Sequence, residues 1–225
     1  MADDQFQAKE FLDRVTGKAY RIYTYKRRAC ARVELTSRLA EQLAGYTLIE
    51  KDLRSVLIWL DEVESRHDEG PSEKKHSYSR GKDRENYNLI KGLFVALLTF
   101  YGKCFSKCDG RPVKLERAQL ENRFHELHDD CIEYRHNFAA HSGAKKIEHV
   151  EIALVYPVKY KKEVNFMIFR ELHQPDVFSP KVGAVTLREL FEHARGKALA
   201  KIDLLVEKIR NEEIIPNTHK YWPDS

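Results

Sequence analysis

The chain has 225 residues, with 39 Lys and Arg against 35 Asp and Glu, a formal net charge of +4 and a pI near 8.7. That length suits one ordinary domain, or a domain with an appendage, and the mild positive balance diagnoses no nucleic-acid partner by itself. Cys30, Cys104, Cys108 and Cys131 are too few and too irregular for a disulfide framework, and the acidic start Met1-Ala2-Asp3-Asp4 is unlike a secretory signal, so a reducing cytoplasmic setting is expected.

Gln5 to Val15 reads as a short helix and Ala19 to Ala44 as a longer one, although Tyr20-Arg21-Ile22-Tyr23-Thr24-Tyr25 suits a strand equally well. Here Arg21, Lys26, Arg27, Arg28 and Arg32 interleave with Tyr20, Tyr23 and Tyr25, offering cations to phosphates and rings to unpaired bases. A solvated surface is the plain alternative. Gly45 reads as a stop, and Thr47-Leu48-Ile49-Glu50 as a capping box that opens a new helix. From that cap Ile49, Leu53, Val56, Leu60 and Val63 recur at steps of four and three, one apolar stripe that fades near Arg66. The span from Pro71 to Lys82 holds almost nothing apolar and is expected to be a mobile loop.

Helical pattern resumes near Arg84 and runs through Leu93-Phe94-Val95-Ala96-Leu97-Leu98 to Cys104, apolar nearly all round at its centre. Its apolar stretch, Gly92 to Tyr101, is about half of a bilayer span, so no membrane crossing is expected. Cys108-Asp109-Gly110-Arg111-Pro112 breaks the helix. Leu120, Phe124, Leu127, Cys131, Tyr134, Phe138 and His141 then form one stripe, which Ser142-Gly143 ends. Beyond Lys146 the period changes to two: Val150, Ile152, Leu154 and Tyr156, then Val164, Phe166 and Ile168, predict a β-hairpin around the basic knot Lys159, Tyr160, Lys161 and Lys162. Thr186-Leu187-Arg188-Glu189 repeats the capping-box logic and opens a last helix to about Asn211.

The expected architecture is therefore mostly α within an α+β class. An antiparallel bundle of four helices spans residues 1–143, and residues 144–225 supply a β-hairpin and a C-terminal helix that either complete its core or form a substrate- or partner-facing appendage.

The strongest chemical signal is Arg135-His136-Asn137-Phe138-Ala139-Ala140-His141. A guanidinium stays charged at any biological pH while imidazole exchanges protons near neutrality, a combination suited to a phosphate beside a hydroxyl that must be activated. The stretch resembles the Arg-x(4-6)-His signature of the HEPN superfamily, helical bundles that act as metal-independent endoribonucleases or as non-catalytic RNA-binding relatives. That resemblance implies a homodimer with both motifs lining one cleft, no cofactor, and a role as a toxin or defence effector facing an antitoxin or regulatory protein. It assigns Arg135 to phosphate and transition-state contact, His141 to general acid or base work, and His136 to the polar position after the arginine. Asn137, one turn before His141, can fix the tautomer of that imidazole by a hydrogen bond. Arg27, Arg28, Arg32, Lys159, Lys161 and Lys162 are the expected RNA contacts.

One Arg and one His are few for 2′-hydroxyl attack, which needs a base, an acid and positive charge near phosphorus; a two-fold axis doubles the set. On an ideal helix Arg135 and His141 stand about 120° apart, so a broad cleft or unwinding at Ser142-Gly143 must bring them together. The plain alternative has His141 at a helix C-terminus, favoured by the dipole, with Arg135 pairing Glu126 or Glu133. A di-metal bundle is a further rival, because Glu64-Ser65-Arg66-His67 and Glu133-Tyr134-Arg135-His136 share the Glu-x-x-His spacing, with Glu34 or Glu41 and Glu85 as further carboxylates. Zinc at His125, His128 and Cys131 fits poorly, since steps of three turn around the helix, and solvent exposure is the default for both histidines.

Overall fold

A computed structural model of the chain describes residues 6–68, 82–136, 149–158, 166–173 and 185–221. Four helices supply the core: α1 (Arg38–Asp68), α2 (Lys82–Cys104), α3 (His125–Tyr134) and α4 (Leu187–Lys208). The stripe Ile49, Leu53, Val56, Leu60 and Val63 is buried along its whole length, as its spacing predicts. It shares one core with Phe94, Leu97, Leu98 and Tyr101 of α2, Leu127 and Cys131 of α3, and Leu190, Phe191, Ala194 and Ala198 of α4, with α2 and α4 lying directly against α1. Burying each large apolar side chain contributes about 1.5–3 kcal/mol, which is what holds four amphipathic helices on one core. Arg188 Nη2 reaches Asp61 at 2.6 Å and Arg195 Nη2 reaches Glu50 at 2.7 Å, so ion pairs tie α4 to α1 at the rim.

Several expectations for the first half are corrected. Gln5 to Val15 is not a helix: Phe6–Leu12 is strand β1, antiparallel to β2 (Ala19–Tyr25), which in turn pairs with the short β3 (Arg28–Ala29). The local helical tendency of Gln7-Ala8-Lys9-Glu10 yields to cross-strand pairs, with Phe6 on Tyr25 at 4.5 Å between ring centroids, Phe11 on Tyr20 at 5.6 Å and Glu10 bonded to Arg21 at 3.2 Å. Ala19 to Ala44 is likewise no single helix, because the Tyr-rich stretch takes the strand option.

Gly45 does not stop a helix, and α1 runs straight through it. A methyl at Gly45 would lie 2.6 Å from Val113 Cγ2, so this glycine admits the chain segment that follows α2. Thr47 is no cap either: its hydroxyl donates to the Leu43 carbonyl at 2.8 Å, four residues back inside the helix. The cap is Ser37, whose Oγ accepts from the Ala40 amide at 3.1 Å. Residues 1–143 therefore contribute three α-helices among the described residues, two long and one of ten residues, and the fourth helix of the core is α4.

The second half follows its pattern more closely. α2 begins at Lys82 and ends at Cys104, and Cys108 and Arg111 form a bridge across the expected break. Before α3 the chain makes two 3₁₀ turns, Arg117–Gln119 and Asn122–Phe124, and after it Arg135 and His136 widen into a π turn. Strands β4 (His149–Val155) and β5 (Met167–His173) form the expected hairpin, with Val155 opposite Met167 and His149 opposite His173. Thr186 caps α4 with Glu189 answering back, and a π turn (Ile209–Ile214) and the short α5 (Thr218–Tyr221) follow. The span 69–81 and Val164 lie outside the described residues.

Candidate functional site

Arg135 stands where α3 gives way to the π turn, a distortion frequent at functional sites. Its backbone amide donates to the carbonyls of Cys131 and Ile132, which fixes where its side chain leaves the helix. That half-buried side chain crosses to the end of α2, lies flat over Gly102 and donates from Nη1 to Ser106 Oγ at 2.9 Å. Ser106 Oγ in turn donates to the Gly102 carbonyl at 2.8 Å, so its lone pairs are left facing the guanidinium. Any methyl at Gly102 would collide with Arg135 Cδ and lie 3.1 Å from Nε. The clasp holds the cation in one orientation through a neutral hydroxyl.

Ser106 is itself held from behind. Arg111 is buried and donates from Nη2 to the carbonyls of Lys103 at 2.5 Å and Ser106 at 3.4 Å. Its Nη1 lies 3.9 Å from Asp52, a buried carboxylate of α1 that also has Lys51 and Lys103 ammonium nitrogens at 3.0 Å. Neither Asp52 oxygen makes a hydrogen bond of good geometry, so the pairing is coulombic, and the low dielectric around it makes that attraction strong. A chain of charge and hydrogen bonds thus runs from Asp52 through Arg111 and Ser106 to Arg135.

One turn away Tyr101 and His128 form a buried pair, Oη to Nδ1 at 2.8 Å. The geometry suits a neutral imidazole protonated on Nε2, accepting from the phenol at Nδ1. Solvent exposure of His128 is thereby corrected: it is 4% exposed, because it faces the same core as Phe124 and Cys131. Burial pushes its pKa down to about 4, with the nearby Asp129 carboxylate partly opposing, and burial raises the Tyr101 phenol well above its usual range. A lowered folded pKa means that the unfolded chain binds the proton more readily. The stabilisation is complete above about pH 6.5 and is lost as pH falls towards 4, on the order of 3 kcal/mol over that window. Urea midpoints are expected to fall across that window for the wild type and to stay flatter in Tyr101→Phe/His128→Leu, which removes both partners together. Equal slopes for the two proteins would show that His128 does not govern the acid limb.

His136 is exposed beside Arg135, whereas Asn137 and His141 lie outside the described residues. The structure therefore positions the arginine and the adjacent histidine of the motif. Of the expected RNA contacts, Arg27 sits in the β2–β3 turn, Arg28 on β3 and Arg32 beyond it, 3.8 Å from Glu34; all three are exposed. Lys159, Lys161 and Lys162 lie outside the described residues.

Glu34, Glu41, Glu64, Glu85 and Glu133 are all exposed rather than gathered in the helical core, and Glu64 is engaged by Arg188 at 2.5 Å. Among the described residues no three His, Cys, Asp or Glu side chains are grouped as metal ligands. His125 is half-buried and bridges the Leu120 carbonyl at 3.2 Å and Arg117 at 3.0 Å. Burial pushes the Cys104 thiol up to about 12 and raises Cys131 as well, so neither is a ready nucleophile. No helix among the described residues is long and apolar enough to cross a membrane.

Gly102, Ser106, Arg111 and Asp52 escape the sequence reading. The available hints are a glycine inside a strongly helical segment and an aspartate within the turn that carries Leu53. No family model, curated protein or solved structure matches this chain.

Proposed function

We propose that this chain is a HEPN-like, metal-independent endoribonuclease in which two copies of the Arg135 centre face one RNA strand across a two-fold cleft. The observation that carries the reading is the clasp of Gly102 and Ser106 around Arg135, which presents a permanent cation in fixed orientation at a helix end. In this scheme the 2′-oxygen attacks phosphorus as a base takes its proton, and the P–O5′ bond breaks as an acid protonates the departing oxygen. The products are a 2′,3′-cyclic phosphate and a free 5′-hydroxyl. Arg135 offsets the negative charge that builds on the non-bridging oxygens, His141 and its symmetry mate serve as base and acid, Asn137 fixes the imidazole tautomer, and His136 lines the cleft. A four-helix core of HEPN type, a cytoplasmic setting, a toxin or defence role and an antitoxin or regulatory partner belong to the same proposal.

A second reading, an RNA-binding module without catalysis, draws on the same clasp: an arginine bonded within its own chain has fewer donors left for a transition state. Incubation with single-stranded and transfer RNA in excess chelator separates the two. Cleavage by the wild type is expected to fall at least about 100-fold in both Arg135→Ala and His141→Ala. RNA binding without cleavage selects the module, and cleavage that requires added metal overturns the proposed chemistry.

A further inference from the structure

Residues 6–32 contain eight Lys or Arg against only Glu10 and Asp13, a net +6 where the whole chain has +4. The positive charge of the protein is thus concentrated on β1, β2, β3 and their turns, and the rest of the chain is net negative. The two turns of this sheet differ in kind. Between β1 and β2, Gly17 takes the left-handed conformation at φ 66° while Asp13 accepts from the Val15 amide at 2.8 Å and the Thr16 hydroxyl at 2.8 Å, which is ordinary turn chemistry. Between β2 and β3, Tyr25 pairs with Arg28, so the loop is the two residues Lys26 and Arg27, at φ 47° and 65°. A two-residue loop with both central φ angles positive calls for Asn-Gly; a lysine and an arginine there carry backbone strain at each position.

That turn places two cations at consecutive positions at the tip of a sheet on which Phe6, Phe11 and Tyr20 are exposed and Tyr23 and Tyr25 are half-buried. Tyr25 has Lys26 Nζ 5.2 Å from its ring centre and the Phe6 ring beside it, tilted at 38° with centroids 4.5 Å apart, and Phe6 is 59% exposed. Strand alternation puts Phe6, Tyr23, Tyr25 and Arg28 on one face, next to the turn. We infer that this face and its Lys26-Arg27 turn form a binding platform for single-stranded RNA, distinct from the Arg135 centre, on which unpaired bases stack on Tyr25 and Phe6 while their phosphates meet Lys26, Arg27 and Arg28. The inference rests on the RNA reading above and deepens it by naming the strand state and the surface. Charge alone would serve an anionic membrane equally; flat rings interleaved with cations at the same edge favour a strand with free bases.

The test uses full-length protein carrying Arg135→Ala, so that cleavage does not consume the probe, and a fluorescently labelled RNA of mixed sequence titrated across a salt series. Replacing the turn by K26N/R27G supplies the residues the geometry prefers, so its melting temperature is expected to equal or exceed that of the parent. Its affinity is expected to fall about tenfold or more, with the slope of log K against log salt smaller by about 1.4, the value for two phosphate contacts on a single strand. Tyr25→Leu is expected to weaken binding roughly tenfold with the salt slope unchanged, the signature of lost stacking. Equal affinity for a DNA strand of the same sequence keeps the platform and makes it indifferent to the sugar. Unchanged RNA affinity in K26N/R27G, preference for duplex, or binding of phosphatidylserine vesicles without RNA binding each overturns it. Failure of the nuclease reading shows separately, as absent or Arg135-independent cleavage by the otherwise wild-type chain.

Discussion

Arg111→Ala is expected to lower the free energy of unfolding by about 3 kcal/mol. Arg111 is buried, its Nη2 serves two carbonyls at the end of α2, and its charge faces the buried Asp52 of α1. Truncation leaves those carbonyls short of a donor and Asp52 short of one of its three cations. Lys51 and Lys103 remain 3.0 Å from the carboxylate, which places the cost at the lower end of the range for a broken buried pair. Removing both charges in Asp52→Leu/Arg111→Met is expected to recover most of the loss, since no uncompensated ion is then left in the core. Urea unfolding of both single variants and the double variant measures this as a coupling energy. A cost below about 1 kcal/mol for Arg111→Ala would mean that water or the two lysines already neutralise Asp52.

The same network explains which parts of the molecule its sequence discloses. The stripe from Ile49 to Val63 is legible because helical periodicity and burial are one fact seen twice. Thr186 and Glu189 are legible because a capping box closes within four residues. The β4–β5 pairing shows for the same local reason, a period of two on both sides of a basic segment of the sequence.

Gly45 and Gly102 illustrate the opposite case. Each reads locally as a helix weakener, yet each is small for the sake of a distant segment: Val113 above Gly45, Arg135 above Gly102. No window of the sequence contains both members of either pair. Phe6–Leu12 fails for a related reason, since its strand depends on Tyr20, Arg21 and Tyr25 across the turn. His128 was within reach, because it falls four residues after Phe124 on the buried side of α3, and the apolar stripe there has room for one polar member if a partner such as Tyr101 meets it. The motif arginine was visible as chemistry, and what makes it rigid was not.

Gly102→Ala is the variant that separates that rigidity from folding. Inside a helix, alanine is favoured over glycine by up to about 1 kcal/mol, and the atom it meets belongs to a flexible side chain rather than to backbone. Arg135 therefore swings away and gives up its bond to Ser106, a loss of about 1 kcal/mol, so the two effects roughly cancel and the melting temperature is expected to stay near that of the wild type. Cleavage is expected to fall about 100-fold, because a cation that is no longer preorganised must be re-ordered in the transition state. Ser106→Ala removes the bond without the collision and is expected to show a smaller loss, which Ser106→Thr restores by returning the hydroxyl. Single-turnover rates and thermal melts on the same preparations check the pattern. An alanine at position 102 that cleaves RNA at the wild-type rate would show that the orientation of Arg135 is immaterial to the chemistry, and the clasp would then be packing alone.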